Sequence, residues 1–237
     1  MKPATHRVRL HTALGILVLL TVGFIIFLLS VIYIPYELTK NDIAKVAAIG
    51  DSITQGTGVD GDASLESYPA QLQALLGRKY QVANYGLGGR SLLSTGGLPY
   101  VKEDYYKQSQ ASNPNVVLIM LGTNDSGRNN WNAVLYEKEL TQFVGVYKNL
   151  PTKPKVYLLT VPAANIDDTN PAVGSVSGEI VKNEVVPAIL KVARATNTPV
   201  IDVYAATKDH LNLFPDGIHP NTEGYTIIAN TIYEAIK

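Results

Sequence analysis

Val116-Val117-Leu118-Ile119-Met120-Leu121-Gly122-Thr123-Asn124-Asp125 is the stretch that decides the fold class. Six apolar residues in succession, with no polar residue between them, describe a strand covered on both faces, and such strands belong to parallel sheets flanked by helices. The run stops at a glycine and three polar residues. Outward from it, apolar runs of strand length stand at 45–49, 81–85, 155–160 and 200–203. Helical periodicity fills the intervals at 67–76, 98–109, 131–149 and 179–196, and a last helical pattern covers 222–236. Strand and helix alternating five times predict an α/β sandwich around a five-stranded parallel sheet, with right-handed crossovers. Pro187 lies inside the fourth helical pattern and predicts a kink or a break there. Residues 162–177, rich in Asn, Asp, Pro and Gly, form a long loop, either a lid or binding loop or a disordered connection.

Composition narrows the chemistry. The 237 residues hold 20 basic and 20 acidic side chains, 46% hydrophobic residues and no cysteine. A disulfide scaffold, a thiolate metal site and a cysteine nucleophile are therefore excluded. The charge is unevenly spread: residues 1–34 carry Lys2, Arg7 and Arg9 without an acid, leaving a formal charge of −3 on the other 203. A mildly acidic remainder argues against a nucleic-acid partner.

From 13 to 34, 18 of 22 residues are apolar and none is charged. A helix of this length reaches about 33 Å, against about 30 Å for a hydrocarbon core. The run outlasts the apolar region of a cleavable signal peptide and leaves through Tyr33-Ile34-Pro35 without a small-x-small site. The expectation is an uncut transmembrane signal anchor over 13–34, preceded by a basic cytoplasmic tail (1–12) and followed by a linker (35–44) and a catalytic domain (45–237) outside the cytoplasm. Secretion after signal cleavage is the alternative.

Ligands of open parallel sheets bind at the carboxyl ends of the strands. Four polar clusters stand after the runs or before the last helix: Gly50-Asp51-Ser52-Ile53-Thr54, Gly86-Leu87-Gly88-Gly89-Arg90-Ser91, Gly122-Thr123-Asn124-Asp125 and Asp216-Gly217-Ile218-His219-Pro220. Each alone reads as a turn. Together they contain the parts of acyl transfer. Ser52 can attack once His219 removes its proton, and Asp216 can accept the Nδ1 hydrogen of His219. The N–H groups of Ser52 and Gly89 and the amide of Asn124 can hold an oxyanion.

These clusters resemble the blocks of the SGNH hydrolases, also called GDSL-type esterases and lipases. Gly50-Asp51-Ser52-Ile53 is similar to the first block, with Ile in place of Leu; Asn84, Gly86 and Gly89 fit the second, Gly122-Thr123-Asn124-Asp125 the third, and Asp216-Gly217-Ile218-His219-Pro220 the fifth. The resemblance runs from about residue 45 to the end of the chain. It implies a flavodoxin-like three-layer α/β/α sandwich and hydrolysis through an acyl-serine, with no metal or other cofactor. The residues it implies are Ser52, Asp216 and His219 as the catalytic triad and Ser52, Gly89 and Asn124 as the oxyanion hole. It leaves the substrate open between a glycan ester, a lipid ester and a small-molecule ester. With no domain added after Lys237, the expectation is a shallow pocket and a short acyl group, such as acetyl on a cell-envelope glycan. Transfer of the acyl group to a sugar hydroxyl would use the same residues, and a non-catalytic glycan-binding module is the reading from another class.

Other residues are weaker candidates. Arg90 is either a contact for an anionic substrate or a solvated side chain. Asp51 either touches substrate or organises its loop by hydrogen bonds, and Asp125 caps the turn after Asn124. His210 lacks the preceding Asp-Gly of the His219 loop and is expected at the surface. Tyr100, Tyr105 and Tyr106 line a pocket or pack on the sheet. Neither Gly56-Thr57-Gly58 nor Gly86-Leu87-Gly88-Gly89 continues as a nucleotide-binding fingerprint, and His210 and His219, the two histidines after the apolar span, lack zinc spacing.

Overall fold

A computed structural model of the chain describes residues 18–30, 43–166 and 176–237. Five strands, β1 (Ala44–Gly50), β2 (Tyr80–Gly86), β3 (Val116–Met120), β4 (Lys155–Leu159) and β5 (Val200–Ile201), form one sheet in the order β2-β1-β3-β4-β5. Every pairing is parallel. This is the flavodoxin-like order, with the direction of winding reversing beside β1. The continuous apolar runs have the predicted consequence: Val46, Ala47, Ala48 and Ile49 point alternately to opposite faces, and all four are buried.

Parallel pairing requires long crossovers, and the helices supply them. After β1 come a single turn, α1 (Ser52–Gln55), and the crossover helix α2 (Tyr68–Leu76). The next crossovers carry α3 (Asp104–Ala111), α4 (Ala133–Lys148) and α5 (Val186–Thr196). After β5 the chain runs through α6 (Val203–Thr207) and closes with α7 (Thr222–Ile236). Right-handed connections in this strand order put α2 on one face and α3, α4 and α5 on the other. Accordingly α4 packs on α5, while α7 returns to pack on α2.

The largest fully buried side chains include five tyrosines, Tyr68, Tyr100, Tyr136, Tyr147 and Tyr225. Each hydroxyl has a partner: Thr54 Oγ1, the Tyr85 oxygen, the Leu121 oxygen, Ser109 Oγ and the Thr57 oxygen respectively. A buried phenol without one would cost about 1–3 kcal/mol. Tyr100 and Tyr106 pack with Phe143 and Tyr147 in the aromatic core, whereas Tyr105 is exposed.

Two elements depart from the sequence expectation. The last strand is shorter, because the Asp202 carboxylate accepts the Ala205 N–H and starts α6 at Val203. The helix expected over 98–109 begins only at Asp104, after a 3-10 turn at Tyr100–Lys102 and an extended Glu103. At Pro187 the expected break is present: the helical pattern divides into a short turn Gly178–Ile180, a π-helical turn Val181–Val185 and α5. Proline has no N–H to give and its ring crowds the carbonyl four residues back, so widening the preceding turn relieves the clash.

Residues 18–30 form a separate unit and are helical, with their large apolar side chains exposed. Their polar side chains turn back on the helix: Thr21 Oγ1 donates to the Val18 oxygen and Ser30 Oγ to the Phe27 oxygen. Among the described residues no helix is long and apolar enough to cross a membrane. The remainder of the expected span (13–17 and 31–34), the tail 1–12, linker residues 35–42 and loop residues 167–175 lie outside the described residues.

Candidate active site

β1 delivers Ser52 and α1 presents it. Asp51 is the N-cap of α1, its Oδ1 accepting the Ile53 N–H at 3.0 Å, so Ser52 is the first helical residue. Its N–H belongs to the free donors of a helix start. Two glycines make this turn possible. A Cβ on Gly50 would stand 2.0 Å from Thr54 Oγ1, and one on Gly86 2.1 Å from the Gln55 nitrogen, because α1 sits directly on the ends of β1 and β2.

Opposite Ser52 stands the loop before α7. Asp216 Oδ1 accepts the N–H groups of Ile218 and His219 at 2.9 and 2.7 Å, which leaves Oδ2 2.6 Å from His219 Nδ1. His219 Nε2 lies 2.8 Å from Ser52 Oγ. A carboxylate at Nδ1 selects the tautomer that carries its hydrogen there, so the Ser52 hydroxyl donates to a free lone pair on Nε2. Neighbours hold the loop. The Asn165 N–H donates to the Gly217 oxygen at 2.8 Å, and Gly58, at φ +96°, passes so close that a Cβ would meet His219 Cβ at 2.8 Å.

The remaining candidates stand on the strands beside β1. Gly89, at φ +75° in the loop after β2, has an N–H that meets no acceptor among the described residues. The neighbouring Gly88 N–H is taken by Gln55 Oε1 at 2.8 Å, which separates the roles of the two glycines. After β3, Asn124 Nδ2 donates to the Arg90 oxygen at 3.0 Å and, in a longer and weaker bond, to Asp51 Oδ2 at 3.4 Å. Ser52, Gly89 and Asn124 thus stand after three adjacent strands, β1, β2 and β3. A cavity of about 230 Å³ opens beside Gly89 and Asn124, bordered by Leu93, Gly97, Leu98 and Asn130.

Two buried carboxylates underlie the site. Desolvation pushes Asp51 up to about 6, against the Ile53 N–H; the buried Thr123 hydroxyl, short of full hydrogen-bonding geometry, also opposes the rise, while the Asp125 charge adds to it. Desolvation likewise raises Asp125 to about 6, although it accepts the N–H groups of Leu93 and Leu92 at 2.7 and 3.0 Å. Asp125 therefore ties the loop after β2 to the loop after β3 rather than capping the turn after Asn124. Around Asp216 desolvation also works upward, but the backbone and ring of His219 and the Ile218 N–H outweigh it and hold the carboxyl below its ordinary value.

Arg90 turns inward. Its Nη1 donates to the Gly88 oxygen at 2.7 Å, and Nε and Nη2 each lie 3.1 Å from Glu103 Oε1. His210 is exposed. Asn165 belongs to the 162–177 loop singled out as a lid or binding loop, whereas Gln55 and Glu103 are not among the sequence candidates. Gln55 had a local signal, one helical turn beyond Ser52; Glu103 had none.

Known proteins share this architecture. Residues 48–227 match the model of the GDSL-like Lipase/Acylhydrolase family. A curated relative, the acetylxylan esterase of Xylanibacter ruminicola, is 34% identical over 222 residues, an alignment covering 84% of this chain and 44% of that protein. The chain therefore spans less than half the length of that relative. Among solved structures, a carbohydrate acetylesterase family member from Sinorhizobium meliloti aligns with a TM-score of 0.68 at 19% identity, covering 82% of this chain and 97% of that one. The lipase/acylhydrolase from Enterococcus faecalis aligns with a TM-score of 0.62 at 25% identity, covering 82% and 95%.

Proposed function

The chain belongs to the GDSL-like lipase/acylhydrolase family of ester-bond hydrolases, and from that premise we propose that it removes short acyl groups, acetyl foremost, from sugar hydroxyls through an acyl-serine. One observation carries this reading: the unbroken line from Asp216 through His219 to Ser52, with contacts of 2.6 and 2.8 Å. Ser52 Oγ attacks the ester carbonyl carbon while its proton passes to His219 Nε2, and Asp216 stabilises the imidazolium. The carbonyl oxygen, now an oxyanion, is held by the N–H groups of Ser52 and Gly89 and the amide of Asn124. On collapse the sugar oxygen leaves and takes the proton from His219. Water then attacks the acyl-serine with His219 again accepting a proton, and on collapse that proton returns from Nε2 to Ser52 Oγ as the carboxylic acid departs. The loss of one oxyanion donor typically costs about 100- to 1000-fold in rate.

Two observations support the substrate class. The relative of 34% identity is named for acetylxylan, and the cavity beside Gly89 and Asn124, about 230 Å³, is small for a long acyl chain. The test is a panel of p-nitrophenyl esters from acetyl to palmitoyl, together with acetylated xylo-oligosaccharides, on the full chain in detergent beside Ser52→Ala. Ser52-dependent turnover favouring acetyl is expected. Preference for palmitoyl would overturn the substrate class, and absence of any Ser52-dependent turnover the esterase reading itself.

We also propose that residues 13–34 anchor the chain in the cell membrane with the catalytic domain outside the cytoplasm. The support is the charge-free apolar run behind Lys2, Arg7 and Arg9. Protease added to spheroplasts should degrade the domain; full protection would reverse the orientation, and recovery of a shortened chain in the medium would mean cleavage.

A further inference from the structure

We propose that Arg90 is a positioning residue for the oxyanion hole, setting the direction and the donor strength of the Gly89 N–H. The inference rests on the reading of Gly89 as an oxyanion donor. In a trans peptide the carbonyl of one residue and the N–H of the next point in opposite directions within one plane. The Gly88 oxygen and the Gly89 N–H share such a plane, so whatever holds the first aims the second. Arg90 Nη1 holds it at 2.7 Å.

The bond matters because the flanking residues do little to restrain the plane. Glycine rotates through conformations closed to other residues, and Gly88 and Gly89 are consecutive, Gly89 in the left-handed region. The orientation is therefore chosen from outside. Gln55 fixes the preceding peptide through the Gly88 N–H at 2.8 Å, and Arg90 fixes the next one. A guanidinium on the carbonyl also draws electron density through the amide and makes the N–H on its far side a better donor.

The arginine is itself held. Glu103 Oε1 receives both Nε and Nη2, and the two side chains are only 22% and 26% exposed. The backbone oxygen of Arg90 meanwhile accepts Asn124 Nδ2 at 3.0 Å, so one residue steadies two of the three donors. A lysine could reach the Gly88 oxygen but could not bind it and Glu103 with the same planar fork.

The test compares full-chain wild type with Arg90→Met, Arg90→Lys and the double variant Arg90→Met, Glu103→Gln, in which no unpaired carboxylate remains. Steady-state kinetics on p-nitrophenyl acetate, inhibition by methylboronic acid and thermal unfolding are measured for each. The boronate forms a tetrahedral serine adduct with an oxygen in the hole. Removal of the guanidinium should lower kcat about 10- to 100-fold, part of the cost of a whole donor. KM should stay within about twofold, boronate inhibition should weaken in parallel with kcat, and Arg90→Lys should recover part of the loss. An unchanged kcat in the double variant, or a loss confined to KM or to thermal stability, overturns the proposal. Absence of Ser52-dependent turnover in the wild type would overturn the esterase reading and this inference with it, an outcome visible before any Arg90 variant is made.

Discussion

His219 Nε2 lies 2.8 Å from Ser52 Oγ although 167 residues separate the two in the chain. The contact is made by two rigid starts, one at the end of β1 and one at the entry to α7. Asp216 orients the imidazole through Oδ2 while its Oδ1 builds the turn, so one side chain both shapes the loop and holds the ring.

Replacing Asp216 by Asn should therefore separate these tasks. The amide can still accept from the backbone through one oxygen, but its NH₂ group would face Nδ1 and favour the other tautomer, with the hydrogen on Nε2. We expect kcat on p-nitrophenyl acetate to fall by about 1000- to 10,000-fold, with the far-ultraviolet circular dichroism unchanged. A loss smaller than tenfold would show that the carboxylate is not the orienting group.

Stability should fall as the solution is brought from about pH 4 to about pH 6. Asp51 and Asp125 have folded-state values near 6 against ordinary values of 3.8, so within this window the folded chain retains protons that the unfolded chain releases. The stability carried by the protonated carboxyls is complete below about 4 and lost above about 6, as much as about 3 kcal/mol for each group. Asp216, held below its ordinary value, works in the opposite sense but at lower pH. Urea titrations at pH 4.5, 5.5 and 7 should show the decline, and Asp125→Asn should roughly halve its slope. Stability that rises across the window would contradict the burial of these charges.

Gly58 should not tolerate a side chain. At φ +96° an alanine is strained by about 1–2 kcal/mol, and its Cβ would press on His219 Cβ from 2.8 Å and on the Pro220 oxygen from 2.7 Å. Gly58→Ala is expected to lower kcat at least tenfold by displacing the imidazole, with a lower unfolding temperature. Gly77 serves as the control. It also has positive φ, but a Cβ there meets nothing within 4 Å, so Gly77→Ala should cost stability and leave kcat unchanged.

Tyr225→Phe removes the hydroxyl that donates to the Thr57 oxygen at 2.6 Å and leaves that carbonyl without this donor. A destabilisation of about 1–3 kcal/mol is expected by chemical denaturation. Because this bond joins α7 to the segment after α1, kcat should decline by a few-fold as well. A variant as stable as the wild type would mean that water replaces the phenol.

The sheet was legible in the sequence because burial on both faces is written into a strand locally: Val116 to Leu121 needs no knowledge of its neighbours to be read as covered. The four polar clusters were legible for a related reason, since the tight turns at Gly50, Gly86 and Gly122 require particular residue types at particular spacings. Pro187 announced an interruption, but the π-helical form of that interruption depends on how the helix packs. The shortened fifth strand was hidden because Asp202 could equally have ended a strand or capped a helix.

By itself, then, the sequence determined the α/β class, the family resemblance and the acids, bases and donors available at the strand ends, because these depend on local composition and short-range spacing. Only the tertiary structure decided what those residues do to one another. Arg90 meets Glu103 across 13 residues, Gly88 meets Gln55 across 33 and Leu93 meets Asp125 across 32. Such partners are set by where β1, β2 and β3 end side by side in the sheet, and a side chain's reach is a distance in space that no local pattern records.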